Sequence, residues 1–319
     1  LMRCHGDTAL PDSTAKPPET LDLAAPPFDT RARMRDSGLI YAVVVLCAIA
    51  TIWAAIYFRL LREYEQAENA AYQQTTDLAV GNAQIARRNL DAIDQTLLFT
   101  RAAYLRDPAG FDLARLAALA PGSGAAHLGW MDAQGILRAS TDSGIAWPTP
   151  VDPAMLAELA RPGPDVLLLS GPVRDLRAHA WSLNAIRRIT GPDGRPDGFL
   201  VASLPSSLLT QFHAALGVAG AVTLVVGPNG LVAARDPVTE GGIGVPYTGA
   251  DATLALPPET TAGTLRRLNA TGGTSRLISF RRVPQYGLTI MAGLPEAAVF
   301  AGFRQHRLQT TGLGVVLTI

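Results

Sequence analysis

The apolar positions of the chain fall into three regimes. From Gly38 to Phe58 they run together, 21 residues without a charge, bracketed by Asp36 and Arg59. As a helix rising 1.5 Å per residue this run reaches about 30 Å, the thickness of a bilayer's hydrocarbon core. A cleaved leader has a shorter apolar region, so 38–58 reads as a transmembrane helix. From Arg59 to Leu105 proline is absent and Gly81 is the only glycine. There Leu78, Ile85, Leu90, Ile93 and Leu97 recur at three- to seven-residue steps as one apolar stripe. The pattern predicts a long stalk helix over 59–107, ended by Pro108 and Gly110, with a short helix at Leu113–Leu119.

Beyond Pro121-Gly122 the period shortens to two. His127–Met131 and Ile136–Ala139 flank the turn ending at Gly135, and Val166–Ser170, Trp181–Ile189 and Phe199–Leu204 read as further strands. Pro205 opens a helix through Ser207, Leu208, Phe212 and Leu216. A second round follows. Val222–Val226 and Leu231–Ala234 flank the turn ending at Gly230, Arg276–Val283 and Leu288–Gly293 form a hairpin, and Pro295 opens a helix.

The two rounds align. The turn glycines 135 and 230 lie 95 residues apart, Arg187-Arg188 and Arg281-Arg282 lie 94 apart, and Leu204-Pro205 and Leu294-Pro295 lie 90 apart. Three landmarks in one order mark an internal repeat. The fold class this predicts is α+β: a long N-terminal helix and two tandem antiparallel-sheet modules, 108–217 and 218–307.

The ends carry other signals. Residues 1–37 hold Pro11, Pro17, Pro18, Pro26 and Pro27 without apolar periodicity, and read as a disordered tail. The stretch 308–319 is charge-free and reads as the start of a second transmembrane helix, too short to cross. With Leu1 first and Ile319 last, both ends look clipped. Arg31, Arg33 and Arg35 precede the span, and only Arg59 and Arg62 follow it closely. That bias favours a cytoplasmic N-terminus and an extracytoplasmic 59–307, in a plasma membrane.

Composition narrows the function. Lys plus Arg number 27 against 27 Asp plus Glu, a net charge of zero, which argues against a nucleic-acid partner. Charged residues are 17%, below the roughly 25% of soluble domains, as expected if part of the chain sits in lipid. Cys4 and Cys47 cannot make a disulfide framework or a cysteine zinc site. His127, His179 and His213 form no His-x-x-x-His pair. Gly242-x-Gly244 has Tyr247 where a dinucleotide fingerprint needs its third glycine. Neither a metal, a cofactor nor an enzyme is expected in these residues.

A ligand pocket remains. Trp130, Arg138, Arg174, Trp181, Asn184 and Arg187 lie on or beside predicted strands, where arginine could fork onto a carboxylate and tryptophan supply a flat wall. On the strand from Trp181, positions 181, 183, 185 and 187 share one face, so Asn184 and Arg187 face opposite ways. Trp181 with Arg187 is the more coherent pair. The other reading, Trp181 as core and Arg187 as a solvated edge, stays open.

Five blocks, Asn89–Tyr104, Leu169–Ile189, Phe199–Phe212, Gly227–Arg235 and Ser279–Glu296, resemble double Cache sensor domains, the PAS-like extracytoplasmic modules of bacterial receptors. The resemblance covers roughly 39–319. It departs from the family at Val151–Leu156, where relatives carry an Asp-Arg-Glu element with an aromatic. It implies a membrane-distal module at 108–217, a membrane-proximal one at 218–307, and a small-molecule ligand such as an organic acid or amino acid. It also implies a homodimer through the stalk helix, membrane lipid around the spans, and a cytoplasmic output beyond Ile319. A diguanylate cyclase or phosphodiesterase is favoured there, a histidine kinase next. The alternative class is a membrane-anchored structural or interaction module without a ligand.

Overall fold

A computed structural model describes residues 30–119, 127–142, 153–161, 165–175, 180–191, 194, 196–211, 220–247, 259–270 and 274–319. The tail over 1–29, the helical run expected through Phe212 and Leu216, and His179 and His213 lie outside the described residues. The chain forms two compact units, the first ending at Ala55 and the second beginning at Ile56.

Helix α1 (Thr30–Arg106) begins in the first unit, already formed at Thr30, and continues into the second. Leu39, Ile40, Tyr41 and Val43 to Leu46 are exposed along it. The Thr51 hydroxyl donates to the Cys47 and Ala48 carbonyls at 2.7 and 2.8 Å, so its one polar group is satisfied within the helix. The helix is long and apolar enough there to cross a membrane.

The second unit packs two antiparallel sheets on the rest of α1. The first sheet holds β1 (His127–Asp132), β2 (Leu137–Ser140), β3 (Leu168–Leu169), β4 (Val173–Asp175), β5 (Ala180–Thr190) and β6 (Pro196–Pro205), in the order β2-β1-β6-β5-β3, with β4 also on β5. The second holds β7 (Val222–Val226), β8 (Val232–Asp236), β9 (Ala262–Ala270), β10 (Thr274–Val283) and β11 (Leu288–Pro295), in the order β8-β7-β11-β10-β9. The two orders are the same topology. The correspondence reaches into detail, because Gly135 and Gly230 both take φ 75°, open to glycine at little cost. The register also shifts in both first hairpins, at Trp130/Met131 and at Val225/Val226.

Helix α2 (Leu113–Leu119) and helix α3 (Pro153–Ala160) pack on the first sheet. Beyond β6 comes the 3₁₀ turn η1 (Ser206–Leu209), and β10 and β11 are joined by a second such turn, η2 (Pro284–Tyr286). Helices α4 (Glu296–Val299) and α5 (Ala301–Thr318) follow β11.

The stripe read from the sequence is the side of α1 that is buried. Leu90, Ile93 and Leu97 join one apolar core with Leu183, Ala185 and Leu200 of the first sheet and Val225, Ala234 and Ile290 of the second. Lower on α1, the buried Thr75 hydroxyl meets Ser279 Oγ at 2.6 Å. The strands β5 and β6 are buried on both faces, so the alternation expected of a half-exposed strand is missing from them.

Candidate functional site

Parity places the side chains of β5. Asn184 lies opposite Ser203 on β6, Ile186 opposite Val201, and Arg187 opposite Leu200, with no register shift between Ser182 and Ile189. Odd positions therefore face α1 and even positions face outward.

Arg187 faces inward and is 7% exposed. Its Nε and Nη2 donate to the Asp94 carboxylate, the latter at 2.8 Å. Its Nη1 donates to the Asp165 carbonyl at 3.1 Å and lies 2.9 Å from Asp165 Oδ1. The hydrogen bonds to Asp94 push this guanidinium further up, although burial opposes them. Its donors are thus spent on the fold.

The other expected residues sit apart from it. Arg138 is exposed and its Nε donates to Asp132 Oδ2 at 2.7 Å. The same aspartate accepts the Gln134 and Ile136 amides at 3.0 and 2.9 Å, closing the turn. These bonds, the Ile136 amide first, hold the Asp132 carboxyl below its ordinary range. Trp130 packs inward with Tyr104 and Phe111, ring centroids 5.5 and 6.0 Å away. Arg174 is exposed on β4, opposite Trp181. Trp181 is half-buried, six residues from Arg187, about 20 Å along a strand. The structure does not bring these five together.

The outward face of the first sheet holds a different constellation. Around Ile186 it is apolar: Met131, Phe199 and Val201 pack with Leu159 of α3, and Met155 lies against them. Toward the other end it turns polar. Ser182 and Ser203 flank Asn184, and His127 pairs opposite Ser203 on β1. Ser170 Oγ accepts the Asn184 backbone N–H at 3.2 Å and donates to the Gly171 carbonyl at 2.8 Å.

Asn184 itself is fully buried, and among the described residues neither its Oδ1 nor its Nδ2 has a hydrogen-bond partner. A buried polar group left unpaired costs about 1–3 kcal/mol, and an ordered water or a small guest with a donor and an acceptor would satisfy this amide. The chemistry on offer is hydrogen bonding beside an apolar floor. Parity alone sets Asn184 against Arg187, and the arginine, a ready fork for a carboxylate, is the more prominent of the two. The signal the sequence offers is an amide at an even position of β5, between Ser182 and Ile186 on the same face.

No family model matches this chain, and no curated protein does. Solved structures do. The extracellular domain of the putative histidine kinase rpHK1S-Z16 superposes with a TM-score of 0.61 at 19% identity, covering 72% of this chain and 96% of that one. The periplasmic sensory domain of the Campylobacter jejuni chemoreceptor Tlp1 gives 0.56 at 11%, covering 74% and 98%. The ligand-binding domain of the Pseudomonas fluorescens chemoreceptor CtaA with L-isoleucine gives 0.51 at 14%, covering 75% and 98%. At these identities the likeness is one of fold: a long helix carrying two antiparallel sheets, as in extracytoplasmic sensor domains.

Proposed function

We propose that residues 59–307 are the extracytoplasmic sensing region of a membrane receptor, anchored by 38–58, with the N-terminus in the cytoplasm. The observation that carries this reading is the buried, unpartnered Asn184 amide on the outward face of the first sheet. A small molecule with a donor and an acceptor would satisfy it, and the apolar floor beside it would take an aliphatic or aromatic body. The fold shared with sensor domains supports the reading, as does CtaA having been solved with an amino acid. An organic acid or amino acid is the ligand class. In these residues the role is binding, not catalysis. A cytoplasmic diguanylate cyclase, phosphodiesterase or kinase would supply the output.

Binding acts by shifting a population. A ligand biases two arrangements only by its differential affinity for them. The element it would move is the α4–α5 arm, which follows β11 and meets α1 at Tyr64. Tyr64 of α1 stacks on Phe300 with centroids 4.6 Å apart and planes 2° from parallel, Phe303 meets the same ring edge-on, and Arg266 pairs with Glu296. The chain reads as a homodimer through α1, where two stalks would relay the shift.

The test is a chimera. Residues 1–319 are fused to the cytoplasmic part of a histidine kinase with a transcriptional reporter, and cells are exposed to single L-amino acids and small carboxylic acids. The expected result is a saturable response to at least one compound, lost in Asn184→Leu. A fusion that inserts, signals constitutively and responds to none of them would overturn the reading.

A further inference from the structure

The arm that follows β11 is joined to the rest of its unit at few points. Helix α4 is a single turn, and Phe300 separates it from α5 with φ −94° and ψ 11°. Phe300 is buried and Phe303 half-buried, but every residue from Arg304 to Gln309 is exposed. Phe300 and Phe303 rest on one ring, that of Tyr64 on α1. One turn further along α5, His306 Nδ1 lies 3.4 Å from Glu63 Oε2, a contact open to solvent.

A third element closes on the same place. Arg266 stands on β9, the edge strand of the second sheet, opposite Leu277 of β10. Leu277 packs with Ala71 of α1, so Arg266 leaves its strand on the side that faces α1. Its Nη2 donates to the carboxylate of Glu296, the first residue of α4, and its Nη1 donates to the Tyr64 hydroxyl at 3.4 Å. One guanidinium thereby joins sheet, stalk helix and arm, through the same tyrosine whose ring carries Phe300 and Phe303. Its planar fork of donors holds two acceptors in a fixed relation, which the compact ammonium of a lysine does not. The helices brought together here, α1 and α5, are those that run into the charge-free stretches 38–58 and 308–319.

The arm has a pivot at Phe300 and a polar fastening beside it. With side-chain exposures of 39% and 24%, the Arg266–Glu296 pair is only part-buried, so its loss shifts an equilibrium about two- to fivefold and does not unfold the unit. A reversible fastening needs that strength: it holds the resting arrangement, yet a change arriving through the second sheet can open it. We infer that Arg266 is a positioning residue for the output. It latches the arm to α1 in one of two arrangements, and the strength of the latch sets the receptor's unstimulated activity. The inference rests on the receptor reading, but not on the Asn184 face or on any class of ligand.

The test uses the full chain in detergent, and the same chain in the histidine kinase chimera, with no compound added. Hydrogen exchange over 296–307 should quicken about two- to fivefold in Arg266→Gln and in Glu296→Gln, while β5 and β6 stay protected. Arg266→Lys keeps a charge for Glu296 without the fork, and should lie between Arg266→Gln and wild type. The unstimulated reporter level of the chimera should move by at least about twofold in Arg266→Gln and Glu296→Gln, in the same direction in both, with part of the change recovered in Arg266→Lys. A merely structural contact would quicken exchange and leave the reporter where it was. That result, or exchange over 296–307 unchanged in both variants, would overturn the inference. If Arg266→Gln does not fold, Glu296→Gln decides it alone. A chimera that answers no amino acid or carboxylic acid, yet whose unstimulated level moves with Arg266→Gln, would sink the ligand reading and leave the latch standing.

Discussion

Arg187 of β5 and Asp94 of α1 close a two-point fork inside the protein, with Nη2 and Oδ2 2.8 Å apart and both side chains largely buried. One turn earlier on the same helix, Asp91 accepts the Tyr286 hydroxyl from the second sheet at 2.5 Å. Two aspartates three residues apart therefore fasten the two sheets to one helix. A buried pair is weak support for net stability, but breaking one side of it is costly. Asp94→Ala is expected to lower stability by about 3 kcal/mol. The double variant Asp94→Leu with Arg187→Met should lose less than the single one. Urea denaturation of the four members of the cycle measures both; a single-variant loss below 1 kcal/mol would show that Asp165 alone satisfies the arginine.

Tyr286 supplies a pH dependence. Burial first, and then the bond to Asp91, push its hydroxyl well above the ordinary value of 10.0. A group raised in the folded state contributes its full stability below the unfolded value and loses it as pH climbs toward the folded one. Stability should therefore fall as pH rises above about 10, and Tyr286→Phe should remove that part of the slope. Denaturation midpoints between pH 8 and pH 11 decide it; equal slopes in both proteins would assign the loss to other groups.

Phe300 joins α5 to α1 and is 6% exposed. Phe300→Ala removes the stacked partner of Tyr64 and a buried ring, a loss of about 3 kcal/mol or more if the site does not collapse. The loss should be local. Hydrogen exchange should quicken over 296–307 while β5 and β6 stay protected, and the chimera's response should shrink. Uniform quickening would mean that the ring supports the whole unit.

Asn184→Leu separates binding from stability. Leucine fills a similar volume without an unpaired amide, so the ligand-free variant should be as stable as wild type or up to about 2 kcal/mol more stable. A marked loss of stability would mean that the amide is satisfied in the free protein.

The parts of this structure that could be read from sequence are those with a local period. The stripe from Leu78 to Leu97 gives the stalk helix, and the Gly135 and Gly230 turns with their flanking apolar pairs give the repeat. The strand β9 was not legible, because Ala262–Ala270 shows no alternation of apolar and polar positions. Helix α3 was passed over for the same lack of a long pattern. The candidate sites lay deeper still. Arg187 looked free because its partner Asp94 is 93 residues away. Only parity told the truth locally: it put Asn184 and Arg187 on opposite faces.

The most direct measurement is a thermal-shift screen of the full chain, in wild-type and Asn184→Leu forms, against the common L-amino acids and small carboxylic acids. The prediction is a melting temperature raised in wild type by at least one compound, in proportion to the logarithm of its concentration once saturating, and a shift absent or much reduced in Asn184→Leu. A screen in which no compound shifts wild type, or in which every shift is equal in the two proteins, would contradict a ligand on the Asn184 face.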